Sequence, residues 1–315
     1  MNKGKSVATG TMIDMATIKL IVTGVMEEKA LAQSLKRIFP GERLNDEGKL
    51  EPVEWAKPRK LNCATSHRLA ALSGDAKPGT PMLALAQAML DEAMIGPKPH
   101  GKPADLVLVV DDVELGNWGQ EQIVAQHFRA AVELKLLATP SYATQARYRS
   151  ALRQKCSLHL LKPMVESYLF GDAAALIRAG VAAGTQVRLK HETDVEQFES
   201  NDQKWMQTCH QENLRRQSDK PWWRHERHPK HYLEHLAARH AIFYEESAHG
   251  KQALLELDWC NLAQLASDAP FMRAMLEDIA DWFGVPVPIA VAGQANSHFY
   301  PAKAVNRQTL LLRNL

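Results

Sequence analysis

The chain has 315 residues, 45% of them apolar and 23% charged, which is enough apolar matter to bury a substantial core and excludes disorder of the whole. A formal charge of +2 does not by itself establish nucleic-acid binding, because local clusters of Lys and Arg, rather than the total, neutralise phosphates. No apolar run approaches the roughly 20 residues needed to cross a bilayer, and residues 1–17 carry no apolar block ahead of a cleavage site, so the expectation is a cytoplasmic protein without membrane contact, opened by a flexible leader over 1–17.

Ile18 to Val22 is a short β-branched run that stops at Thr23-Gly24, and Glu27 to Ile38 has helical apolar spacing. Residues 40–59 mix Gly, Pro and charge without a period, which predicts a loop with a short strand around Val53 to Trp55. Thr80 and Pro81 are placed to cap and open a helix that runs to Met94. Asp105 to Val110 is almost uninterruptedly apolar, as in a central strand covered on both faces. A helix over Trp118 to Leu137 and a strand over Ser157 to Leu161 follow, giving the order β-α-α-β-α-β. Helices are then expected at Met164 to Phe170, Ala173 to Ala179, Tyr232 to Phe243, Leu262 to Ala266 and Pro270 to Phe283, with an irregular polar stretch from Leu189 to Asp219. The fold class is α/β: a partly parallel sheet flanked by helices over 18–190, with a mainly helical C-terminal region, 191–315, packed on it.

Parallel sheets bind ligands at the carboxyl ends of their strands. There the first strand delivers Glu27 and Glu28, the apolar strand delivers Asp111, Asp112 and Glu114, and Ser157 to Leu161 is followed by Glu166. Clustered acids repel one another unless a cation neutralises them, and Mg²⁺ or Mn²⁺ takes oxygen ligands of this kind. Equally, Glu27 and Glu28 can complement a helix dipole and Asp111 or Asp112 can cap a helix.

From Arg215 to His240 the chain sets Arg215, Arg216, Arg224, Arg227 and Lys230 among Trp222 and Trp223, a composition suited to phosphate contact and base stacking of DNA or RNA, or else to a solvated loop anchored by its tryptophans. His225, His228, His231 and His235 lack the Cys or acid that would complete a zinc tetrahedron, and Pro229 interrupts their helical face. The four cysteines, Cys63, Cys156, Cys209 and Cys260, form no close pairs, and neither a G-x-S-x-G elbow nor a Walker loop occurs, so any ATPase must be another chain.

The string Ile18-Lys19-Leu20-Ile21-Val22-Thr23-Gly24-Val25-Met26-Glu27-Glu28 resembles the opening motif of TOPRIM domains, and Val109-Val110-Asp111-Asp112-Val113-Glu114 resembles their Asp-x-Asp motif. Pro163 to Asp172 and His228 to Leu233 are similar to blocks of a TOPRIM-like bacterial family related to OLD-type nucleases and often encoded beside an ATPase gene. The resemblance implies a metal-dependent nuclease, the effector of an anti-phage defence system working with an ATPase partner. It implies catalytic roles for Glu27, Asp112, Glu114 and Lys230, and Mg²⁺ or Mn²⁺ held by Glu27, Glu28, Asp111, Asp112, Glu114 and Glu166. Where most TOPRIM domains carry a Glu, this chain has Thr23, whose neutral hydroxyl is a poor ligand or base. The alternative is therefore a catalytically inactive nucleic-acid-binding or regulatory subunit.

Overall fold

The computed structural model describes residues 15–95, 101–139, 141–216, 225–265, 269–289 and 310–315. The chain opens with β1 (Ala16–Val22) and α1 (Val25–Lys36), followed by a hairpin of β2 (Glu42–Leu44) and β3 (Leu50–Trp55) and by the two-residue β4 (Arg59–Lys60). Helix α2 (Thr80–Met94) leads to β5 (Leu106–Asp112), and helices α3 (Glu121–Leu137) and α4 (Tyr142–Lys155) lead to β6 (Cys156–Leu161). Beyond β6 come α5 (Glu166–Leu169), α6 (Ala173–Arg178), α7 (Gln203–Arg216), α8 (Pro229–Ala238), α9 (Lys251–Leu255), α10 (Trp259–Leu265) and α11 (Pro270–Phe283).

The strands lie in the order β2-β3-β1-β5-β6, with β4 pairing the far end of β1. Among these six strands every pairing except β2 with β3 is parallel. Parallel neighbours need crossovers, and α3 and α4 supply the one between β5 and β6. The apolar run of β5 is explained by burial on both faces: Leu106, Leu108 and Val110 enter one core layer, Val107 and Val109 the other. The second layer is covered by α2 and α3, the first by α1 and by the helices that follow β6. The outer edge of β6 is occupied by the last residues. Arg313 N donates to Cys156 O at 2.8 Å, and the Asn314 side-chain amide brackets both polar groups of the Leu158 backbone. This closes an edge that would otherwise offer a free ladder.

Several expectations need correction. The leader overlaps β1, which already includes Ala16 and Thr17, and residues 1–14 of it lie outside the described residues. The strand expected around Val53 to Trp55 is the end of β3, but the rest of residues 40–59 is not plain loop, because β3 starts at Leu50 and β2 pairs with it. Thr80 is the first helical residue, behind a Gly79 cap, so it does not cap with its side chain. Helix α4 was not expected; its only fully buried residue is Leu152, so it has almost no apolar stripe to read. Within the polar stretch 189–219 lies α7. Pro229 opens α8 instead of interrupting it, since a missing N–H costs nothing in a first helical turn.

Candidate functional site

Register brings the ends of three strands to one edge of the sheet: Val22 stands beside Val110, and Asp112 beside Leu161. Just past those ends lie Glu27 in the first turn of α1, Asp112 and Glu114 around the end of β5, and Glu166 opening α5. All four line one cavity of about 450 Å³. Helix α8 adds Lys230 with His228 and His231, and a single π-helical turn, Glu246–Gly250, adds Glu246.

Each side chain is held by its local structure. Glu27 is 2% exposed and folds back over Gly24, where a Cβ would overlap its carboxylate. Asp112 Oδ1 accepts from Val165 N at 3.1 Å, and its backbone carbonyl accepts from Thr65 Oγ1 at 2.6 Å. Glu114 has φ 62° and ψ 154°, a region open to glycine and strained for other residues. The strain is held because the β5–β6 pairing continues past both strands: Val113 N donates to Leu161 O at 2.9 Å and Glu114 N to Pro163 O at 2.8 Å.

Burial and mutual repulsion raise the pKa values of this group together. Burial, then the charges of Glu246, Asp111 and Glu114, lifts Glu27 to about 7. Burial and Asp111 lift Glu114 to about 7, and burial with Glu246 and Glu27 lifts Glu166 to about 8. Asp112 stands well above the usual carboxylate range, through burial and then through Glu27, Glu114 and Glu166. Burial works against the Lys230 ammonium, but Glu166 and the direct ion pair with Glu246 outweigh it and hold the pKa above that of an ordinary lysine.

Two expected ligands do not face the cavity. Asp111 points the other way, as alternation along a strand requires of a neighbour of Asp112. Its buried carboxylate accepts from Thr23 Oγ1 at 2.6 Å, Asp112 N at 3.1 Å and Ala64 N at 3.3 Å. Thr23 thus ties the end of β1 to the end of β5. Glu28 lines a separate hollow with Lys57 and Lys251.

No family model, curated protein or solved structure matches this chain. The assignment of the site therefore rests on its own chemistry. An all-carboxylate donor set, driven toward protonation by burial and then by neighbouring charges and balanced by Lys230, fits a hard divalent cation. As the side chains stand, no three His, Cys, Asp or Glu groups among the described residues are gathered so that they could hold a metal ion.

The basic segment is only partly in view. Arg215 and Arg216 end α7, while Trp222, Trp223 and Arg224 lie outside the described residues. Arg227 pairs with Glu199 at 3.0 Å and lies 5.3 Å from the Trp118 ring centre, outside the cavity lining. The four histidines do not form one set: His228 and His231 stack at 3.6 Å in the cavity wall, whereas His225 pairs with Glu226 and His235 packs on Trp205. Sequence reading missed Glu246, Lys60, Cys63 and Ser66, all of which line the cavity. For Glu246 no local signal exists; it is one of two adjacent acids in a segment without apolar periodicity.

Proposed function

We propose that the cavity is a divalent-cation-dependent phosphodiesterase site, of the nuclease kind that TOPRIM domains carry. The observation that supports it is the meeting of Glu27, Asp112, Glu114 and Glu166, from three strand ends, in one cavity where burial, and then the charges of Glu27, Glu114 and Glu166, raise the Asp112 pKa. These four would hold Mg²⁺ or Mn²⁺; Asp111 and Glu28 would not. When bound, such cations supply activation of a water and neutralisation of phosphoryl charge. The protein's own part is positional. Val165 N and Thr65 Oγ1 orient Asp112, the Thr23–Asp111 bond braces the strand ends behind it, and Lys230 balances the acids. Nucleic acid, DNA or RNA, is the substrate class this reading implies. The ATPase partner and the defence role rest on the sequence resemblance alone.

Full-length protein incubated with DNA or RNA and Mn²⁺ or Mg²⁺ should cleave the strand. Asp112→Asn should reduce cleavage by more than the roughly 100-fold that loss of an outer-sphere partner costs, and Glu28→Gln should leave it unchanged. A second reading, an inactive binding subunit, is favoured by Thr23, whose hydroxyl is spent on Asp111, and by the lack of a ready three-ligand group among the described residues. Absence of cleavage together with weak Mn²⁺ binding in calorimetry would select it. Tight binding that depends on Glu27 and Asp112 would count against it.

A further inference from the structure

The lining of the cavity is uneven in charge along the chain. Glu27, Asp112, Glu114, Glu166 and Glu246 line it, and Lys230 is already committed to Glu246. One stretch of the lining, the segment Lys60 to Leu69, contains no acid and presents Lys60, Cys63 and Ser66 to the cavity.

This wall is firmly built. Leu61 N donates to Val22 O at 2.9 Å, which continues the β1–β4 pairing, and Ala64 N donates to Asp111 Oδ2 at 3.3 Å. The Asn117 side chain donates to Thr65 O at 2.8 Å and accepts from Leu69 N at 2.8 Å, clamping the far end. Lys60 itself stands beside Val22 in the parallel register, one residue before Thr23. Its side chain is exposed, and among the described residues it forms no ion pair. A phosphodiester approaching this cavity is repelled by the carboxylates and attracted by the exposed Lys60 ammonium.

We propose that Lys60 is the phosphate-contacting residue of the site and that the Lys60–Leu69 wall is where the substrate backbone lies, with Lys230 acting as internal counter-charge. The assignment rests on the phosphodiesterase reading above. It gives Ser66 a secondary role as a hydrogen-bond donor to the same phosphate.

The test uses the full-length chain and a short fluorescein-labelled oligonucleotide. Binding is read by anisotropy with Ca²⁺ in place of the catalytic cation, and cleavage is read with Mn²⁺. Lys60→Gln should weaken binding about tenfold and raise KM to match, with kcat within about twofold, and should lower the slope of log affinity against log salt by about 1. Lys60→Arg should restore most of the binding, because it keeps the charge. Lys57→Gln, on the separate hollow, should change nothing. If the wild type binds and cleaves while Lys60→Gln behaves like it, or if Lys57→Gln is equally impaired, the Lys60 assignment fails and the phosphodiesterase reading survives. If the wild type neither binds nor cleaves, both fall.

Discussion

Thr23 donates its hydroxyl hydrogen to Asp111 Oδ1 at 2.6 Å, joining the ends of two adjacent parallel strands beneath the acidic cavity. Burial raises the Asp111 carboxyl to about 6, and the Thr23 bond is the first of the interactions that oppose this rise. Thr23→Val keeps the shape and removes the donor, which leaves a buried carboxylate under-satisfied. The expected loss is about 1–3 kcal/mol of stability, measured by urea unfolding near neutral pH. An unchanged midpoint would show that the bond does not brace the sheet.

Glu27, Glu114 and Glu166 are raised from 4.5 to about 7, about 7 and about 8 in the folded chain. Between pH 4.5 and about 8 the folded state therefore holds more protons than the unfolded one, so stability is fully present at the acid end and falls as pH rises. A tenfold change in a carboxyl's acidity corresponds to about 1.4 kcal/mol, and because the groups raise one another the total is less than the sum. Protein held in EDTA should lose several kcal/mol between pH 5 and pH 8. Glu166→Gln should flatten the profile in part, since Glu27 and Glu114 remain and Glu196, raised to about 7 at a separate buried site, titrates with the same sign. Mn²⁺ should recover the loss at pH 8 and do little at pH 5. A flat profile in EDTA would remove the electrostatic basis of the site.

Gly24 has an extended backbone, φ −95° and ψ 158°, which alanine adopts without strain, so any effect of Gly24→Ala is spatial. The new Cβ would displace the Glu27 carboxylate. Stability should change by less than about 1 kcal/mol while Mn²⁺ affinity drops about tenfold or more. Calorimetric titration beside a thermal melt separates the two, and equal losses in both would point to a damaged fold.

Glu114→Gly relieves a positive-φ residue and removes one of the crowded acids. Metal-free protein should become more stable by about 1 kcal/mol, at the expense of Mn²⁺ binding. A destabilised variant would mean that the Glu114 side chain makes a stabilising contact that outweighs the strain.

Strands β1, β5 and β6 were legible as short apolar runs, and helices α1, α2 and α11 by their helical apolar spacing. Helices α4 and α7 were not, since the first has a single fully buried residue and the second is mostly polar. In the hairpin, Leu44 and Leu50 face each other across β2 and β3 yet are both exposed, so only the end of β3, where Val53 and Trp55 are buried, could be read.

What the sequence determined by itself is that acids follow the ends of three apolar runs, because strand period and strand ends are local properties. Which acids face inward was decided by tertiary structure. The pleat turns Asp112 into the cavity and Asp111 away, the winding of α1 brings Glu27 in and sends Glu28 to another surface, and parallel register sets the three strand ends side by side. Glu246 and Lys60 reach the same cavity only because α1 packs against the π-helical turn and β4 pairs with β1. Those contacts join residues far apart in the chain, so no local pattern encodes them.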